Sequence, residues 1–284
     1  MDLGLWTLRF GRSMLDSTHT CHWDFHPAKL AQVSKGLTGW VPCADAGCER
    51  VVFFKKDWVP AKACEYVATR LAGAIGLPVP AIWLAEPASG YRGTYAERLP
   101  AETDWAEVAR FVDSPDWCLP LTERFTNPEA LAGMVAFDLW IGNADRSASN
   151  VMLRRRAGEQ FEVFLIDHGE AADGGAWLYW PNPEDPAFVE AGRLPRFGKE
   201  LAPALAELRG RPDAIRAWAP LIRSIPDHLI ARLIAEVPAL YFDEYDDDPG
   251  RPPRLERLLM GRRDRLDRLI DRWVTAKLEG QLSP

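Results

Sequence analysis

The stretch from Ala132 to Gly169, AGMVAFDLWIGNADRSASNVMLRRRAGEQFEVFLIDHG, constrains this chain more than any other. Leu131, Met134, Val135, Ala136, Leu139 and Trp140 form an apolar stripe at helical spacing, behind an Asn127-Pro128-Glu129 start signal. Gly142-Asn143 ends that run, because helix propensity collapses there. Val151–Leu153 and Phe161–Ile166 are apolar, rich in β-forming residues and separated by a charged stretch around Gly158, a pattern that predicts a hairpin. A hairpin sets the far ends of its two strands side by side. Those ends carry Asn150 and Asp167, and Asp145 lies five residues before Asn150 on the loop leading in. Two carboxylates and an amide are therefore expected at one open hairpin end.

That trio suits phosphoryl transfer. Magnesium is a hard cation that takes oxygen ligands, usually one or two carboxylates plus the phosphates themselves. Asp167 and Asn150 would supply such oxygens, and Asp145 is placed to accept the proton of an attacking hydroxyl. D-x-x-x-x-N followed by D-x-G has the grammar of a kinase catalytic loop and its metal-binding motif. Turns and helix caps account for most isolated clusters of Asp, Asn and Ser. Here the cluster is framed by an apolar hairpin that ends in I-D-H-G, and the combination favours kinase chemistry.

FDLWIGNADRSASNVML followed by FLIDHGEA closely resembles the catalytic segment of the HipA-like kinases, bacterial relatives of the phosphatidylinositol 3/4-kinase and protein-kinase superfamily. The resemblance implies a two-lobed α+β fold. A small antiparallel-sheet N-lobe with one helix would occupy residues 1–100, and a larger, mainly helical C-lobe residues 101–284. It also implies an ATP- and magnesium-dependent kinase, with Asp145 as catalytic aspartate and Asn150 and Asp167 as magnesium ligands. His168 stands where protein kinases carry phenylalanine. Arg146, beside the base, either neutralises developing charge or pairs with a neighbouring acid. By the same resemblance the acceptor is a Ser or Thr of a protein, and an antitoxin-like partner is expected. Lipid head groups, small-molecule hydroxyls and self-phosphorylation at Ser34 or Thr38 stay open as alternatives. So does a kinase-shaped binding module that acts through a partner without turnover.

Upstream, Gln32–Lys56 reads as three strands joined by turns. Ser34, Gly36, Thr38 and Gly39 lie where a kinase places the loop over the nucleotide phosphates, although glycines at this density also mark an ordinary hairpin. Val51–Phe54 lead into Lys55-Lys56, and strand alternation sends these two lysines to opposite faces. The family resemblance favours Lys55 as the nucleotide lysine. AKACEYVATRLAGAIGLPVP follows as an amphipathic helix ended by Gly76 and Pro78. Its Glu65 is the candidate partner of the strand lysine, or else a surface acid favoured near a helix N-terminus. Ala81–Ala85 and Gly93–Leu99 read as two further strands.

The rest of the chain bounds the answer. A net charge of −7 opposes general nucleic-acid binding, which needs a basic footprint. No stretch approaches eighteen apolar residues and the N-terminus lacks a secretory pattern, so a cytoplasmic protein without a membrane span is expected. Five irregularly spaced cysteines agree with reduced thiols. His19, Cys21, His22, His26, Cys43 and Cys48 match no standard zinc spacing. A Gly- and Pro-punctuated loop after Gly169 borders the expected acceptor site. From Lys199 onward the pattern is helical, ending in one long Arg-rich helix with solvated i,i+4 pairs after an acidic linker at Asp243–Asp248.

Overall fold

A computed structural model describes residues 31–33, 36–42, 49, 51–56, 59–84, 93–100, 103–105, 120–143, 145–157, 160–174, 195–242, 251–276 and 282–283. Ser34, the His/Cys group of residues 19–48, most of the loop after Gly169 and the acidic run lie outside these.

Five short strands make the first sheet: β1 (Ala31–Val33), β2 (Gly36–Pro42), β3 (Val51–Lys56), β4 (Ile82–Leu84) and β5 (Thr94–Glu97). They pair antiparallel in the order β1-β2-β3-β5-β4. Alternation along β3 buries Val52 and Phe54 with Val41 and Tyr95 on one face. The opposite face carries Phe53 and Lys55, directly across from Trp40 and Thr38 of β2. Helix α1 (Val59–Ala74) follows β3 and is enclosed on all sides from Ala61 to Thr69. Its chain is released at Gly76, whose φ of 83° suits glycine.

The larger part is built around α3 (Glu129–Ile141), preceded by the single turn α2 (Leu121–Arg124). The apolar periodicity predicts one buried stripe for α3, but every residue from Ala130 to Ile141 is buried. Helices α6 (Pro212–Arg216), α9 (Arg251–Asp264) and α10 (Leu266–Thr275) pack around it, and α5 (Ala202–Arg209), α7 (Ala219–Arg223) and α8 (Asp227–Ala235) complete the helical layer. Arg262 on α9 reaches the C-terminal end of α3, donating to the carbonyls of Trp140 (2.8 Å) and Leu139 (2.6 Å), while the Trp140 indole donates to Leu259 O (2.8 Å). Those two carbonyls would otherwise be left without intrahelical donors. Gly142 closes α3 at φ 65°.

Two further sheets follow. One holds β6 (Thr103–Asp104) against the hairpin of β8 (Val151–Arg155) and β9 (Phe161–Leu165). Asn127 grips β9 from the start of α3, donating to Val163 O (3.0 Å) and accepting from Val163 N (2.8 Å). The other is a parallel trio of β7 (Asp145–Arg146), β10 (Arg196–Gly198) and β11 (Leu282–Ser283), with the turn α4 (Ala171–Gly174) between β9 and β10. The Arg-rich C-terminal helix is two helices, because the backbone turns at Arg265 (φ −107°, ψ 11°). Several of its charges pair with other helices rather than along their own, as in Arg216–Asp271 (2.8 Å) and Arg263–Asp227 (2.5 Å).

Candidate active site

The loop after α3 is held from beneath. In β7 the chain alternates, so Asp145 is exposed while Arg146 is fully buried. The Arg146 guanidinium forms a bidentate pair with Asp138 on α3, with Nε to Oδ2 at 2.8 Å and Nη2 to Oδ1 at 2.9 Å. Its remaining nitrogen donates to Ile166 O (2.6 Å) and Asn150 O (3.4 Å). Asn143 completes the knot, donating to Asp138 Oδ1 (3.0 Å) and accepting the Asp145 N–H (3.3 Å). The expectation that Arg146 serves as a catalytic charge is therefore corrected in favour of its alternative, a pair with a neighbouring acid. Alternation turns it inward, where it fastens the loop to the hairpin.

The hairpin end has the expected form. Val151 pairs with Leu165, and Ile166 N donates to Asn150 O at 3.1 Å, so Asn150 and Asp167 leave the ladder beside one another. Asp167 has φ 54°, a left-handed conformation that costs a non-glycine residue of this kind about 1 kcal/mol or more. Lys55 Nζ meets Asp167 Oδ2 at 2.5 Å across 112 residues of sequence. Burial alone would raise the Asp167 carboxyl, but attraction to Lys55, Lys62 and Arg146 outweighs it and holds the group down at about 2. Of the two strand-ending lysines, Lys55 is the one joined to Asp167. In the sheet it stands opposite Thr38 on β2 and Thr94 on β5. Gly36 and Thr38 lie within the ladder of β2, whereas Ser34 is outside the described residues.

Glu65 differs from the expected pattern. Its carboxylate is taken by Lys62, one turn earlier on α1, and by the Thr94 hydroxyl at 3.2 Å, and not by Lys55. The physical reason is local: Lys62 and Glu65 stand three residues apart on one helix face, where oppositely charged side chains meet without closing a long loop. Both are buried.

His168 is fully buried. Its Nδ1 lies 3.2 Å from Thr69 Oγ1 on α1, and its ring meets Phe137 of α3 edge-on, with centroids 5.7 Å apart. Burial, helped by the nearby Arg146 charge and opposed by Asp167, pushes its pKa well below the usual histidine value. The ring is therefore neutral and fills an apolar slot that joins α1, α3 and the Asp167 loop.

Asp138, Asn143, Lys62, Thr69 and Thr94 are the site residues that sequence reasoning missed. A carboxylate in the middle of an otherwise apolar helix was the one available signal, at Asp138.

Asp167 and Asn150 offer a hard oxygen donor set, with the carboxylate ionised, which fits a magnesium ion. Among the described residues no cluster of three or more His, Cys, Asp and Glu forms a metal cage, and no helix is long and apolar enough to cross a membrane.

No family model and no curated protein sequence matches the chain. Solved structures do. The proinflammatory kinase CtkA of Helicobacter pylori superposes with a TM-score of 0.55 at 13% identity, covering 91% of this chain and 98% of its own. HipA of Shewanella oneidensis MR-1, solved with HipB and operator DNA, superposes with a TM-score of 0.50 at 14% identity, covering 94% of this chain and 70% of its own. Identities this low speak to the fold. The chain shares a two-lobed α+β fold with these two structures.

Proposed function

We propose that this protein is an ATP- and magnesium-dependent phosphotransferase acting on a hydroxyl. The observation that carries the reading is the meeting of Lys55, from the sheet, with Asp167, at the hairpin end that also presents Asn150. Asn150 and Asp167 would hold magnesium, which supplies charge neutralisation on the transferred phosphate. Lys55 binds phosphate oxygens. Asp145, exposed on a loop fixed by Arg146 and Asn143, orients the acceptor hydroxyl and takes its proton. Gly36 and Thr38, on the strand beside Lys55, border the phosphates. A Ser or Thr of a protein is the favoured acceptor by resemblance to the HipA-like kinases, with an antitoxin-like partner in view because the Shewanella HipA was solved with HipB.

The test is a thermal melt with and without MgATP, with ADP formation followed in the same sample. A nucleotide that binds only the folded state, at a hundred times its dissociation constant, adds about 2.7 kcal/mol of stability. A magnesium-dependent rise in melting temperature with ADP release supports the reading. Asp167→Ala should keep the fold and lose turnover; normal turnover in that variant would remove Asp167 from the metal site. A rise without ADP release, even when acceptor proteins are supplied, would point to a binding module. No rise would overturn the nucleotide altogether.

A further inference from the structure

The site contains a lysine that the proposed chemistry leaves unused. Lys62 is 1% exposed, although a lysine is among the costliest side chains to bury. Its ammonium is held by Glu65, which Thr94 supports from β5. Gly169 locates it. A side-chain carbon placed on Gly169 would lie 3.7 Å from Lys62 Nζ and 3.3 Å from Asp167 Oδ1. Lys62 and the candidate metal ligand thus flank one point in the backbone of the D-H-G segment.

Stability alone does not account for this pair. A buried ion pair is often replaceable by apolar residues at no loss of stability, since desolvation offsets most of the attraction. Helix α1 is already packed with apolar side chains at Ala63, Cys64, Val67, Ala68 and Leu71. An apolar pair at 62 and 65 would continue that packing.

We propose that Lys62 is a second nucleotide-site lysine, seated by Glu65 next to Asp167, so that this cleft carries two cations where the expected lysine–glutamate arrangement has one. This rests on the phosphotransferase reading above. The two lysines differ in mobility. Lys55 is 23% exposed and bound to Asp167 itself, so a divalent cation arriving at that carboxylate competes with it directly. Lys62 is tied to Glu65 and keeps its place whatever binds Asp167. In the loaded site Lys55 moves onto the phosphates, while Lys62 stays as fixed positive charge behind the metal-binding segment and favours the polyanionic nucleotide. Lys62 is a positioning residue in this scheme, and Glu65 positions Lys62 instead of Lys55.

The test compares three proteins by MgATP titration and steady-state turnover, with melts to verify folding. Lys62→Met combined with Glu65→Gln removes both charges and leaves no unpaired buried ion. Lys62→Arg keeps the charge. The double variant should fold, bind MgATP at least about tenfold more weakly than the parent through a raised KM, and change little in kcat, as loss of uniform binding requires. Lys62→Arg should bind within about threefold of the parent. A folded double variant that binds MgATP as the parent does would overturn the proposal and leave a structural pair. So would a folded Lys62→Arg protein as weak as the double variant, because charge would then not be the cause. A parent that fails to bind MgATP is a different result, since it sinks the phosphotransferase reading itself.

Discussion

Two ion pairs lie within a few residues of each other at the hairpin end, and they are built for opposite purposes. Arg146–Asp138 is sealed, with both side chains at 0% exposure, bidentate geometry and the remaining guanidinium nitrogen spent on two carbonyls. Lys55–Asp167 makes a single contact, with side chains 23% and 31% exposed. A sealed pair cannot exchange partners without leaving a bare charge in the interior. An open one can, because water and an incoming cation stabilise whatever is released. Similar charges thus serve as a fixed foundation under Asp145 and as a replaceable contact at the candidate metal-binding segment.

Breaking the sealed pair should have the largest effect on stability. Arg146→Leu leaves Asp138 buried without its cation and should cost about 3–5 kcal/mol in urea unfolding. Arg146→Leu with Asp138→Leu should recover much of that stability but not turnover, because the carbonyls of Ile166 and Asn150 still lose their donor. An Arg146→Leu protein as stable as the parent would erase the distinction between the two pairs.

Lys55→Met should cost about 1 kcal/mol or less, as for other pairs open to water, while abolishing the MgATP-dependent melting shift. A loss of stability as large as that of Arg146→Leu would show that the Lys55 pair is also structural.

Acid sharpens the contrast next. Asp167 titrates at about 2 in the folded chain and near its usual 3.8 when unfolded, so its contribution is present above about pH 4 and is lost as the pH falls through 2. Urea midpoints at pH 6, 4 and 2.5 should therefore drop less for Asp167→Asn than for the parent. Equal slopes would contradict the depressed pKa.

Thr94→Val removes no charge, only one neutral donor from Glu65, at an expected cost of about 0.5–1.5 kcal/mol. It leaves the Arg146 pair untouched, and a cost well above that range would mean that Glu65 depends on Thr94 more than on Lys62.

Much of this was readable in the letters. Gly142 and Gly76 mark where α3 and α1 stop, since both adopt positive φ. Alternation along Val51–Lys56 separates Lys55 from Lys56, and the hairpin brings Asn150 to Asp167 as its strand pattern requires. The partners of Glu65 and Arg146 were less accessible. Each had a nearby opposite charge and a more distant one, and sequence cannot say which is enclosed with it. β7, β10 and β11 escaped for another reason: strands of two or three residues are too short to show a period of two. The break at Arg265 is masked by apolar spacing that continues through it at Leu266, Leu269, Ile270 and Trp273.

Those short parallel strands also bear on the order of events during synthesis. Arg146 of β7 pairs with Phe197 of β10, and Phe197 in turn with Leu282 of β11. A ribosome adding about 5–20 residues per second exposes Asp145 well before either later strand exists. The segment bearing Asp145 gains its first strand neighbour at residues 196–197, and that neighbour gains its own only at residues 282–283. A nascent chain therefore carries the letters of the site long before it holds their arrangement, and the strand order around Asp145 is complete only once residues 282–283 have been added.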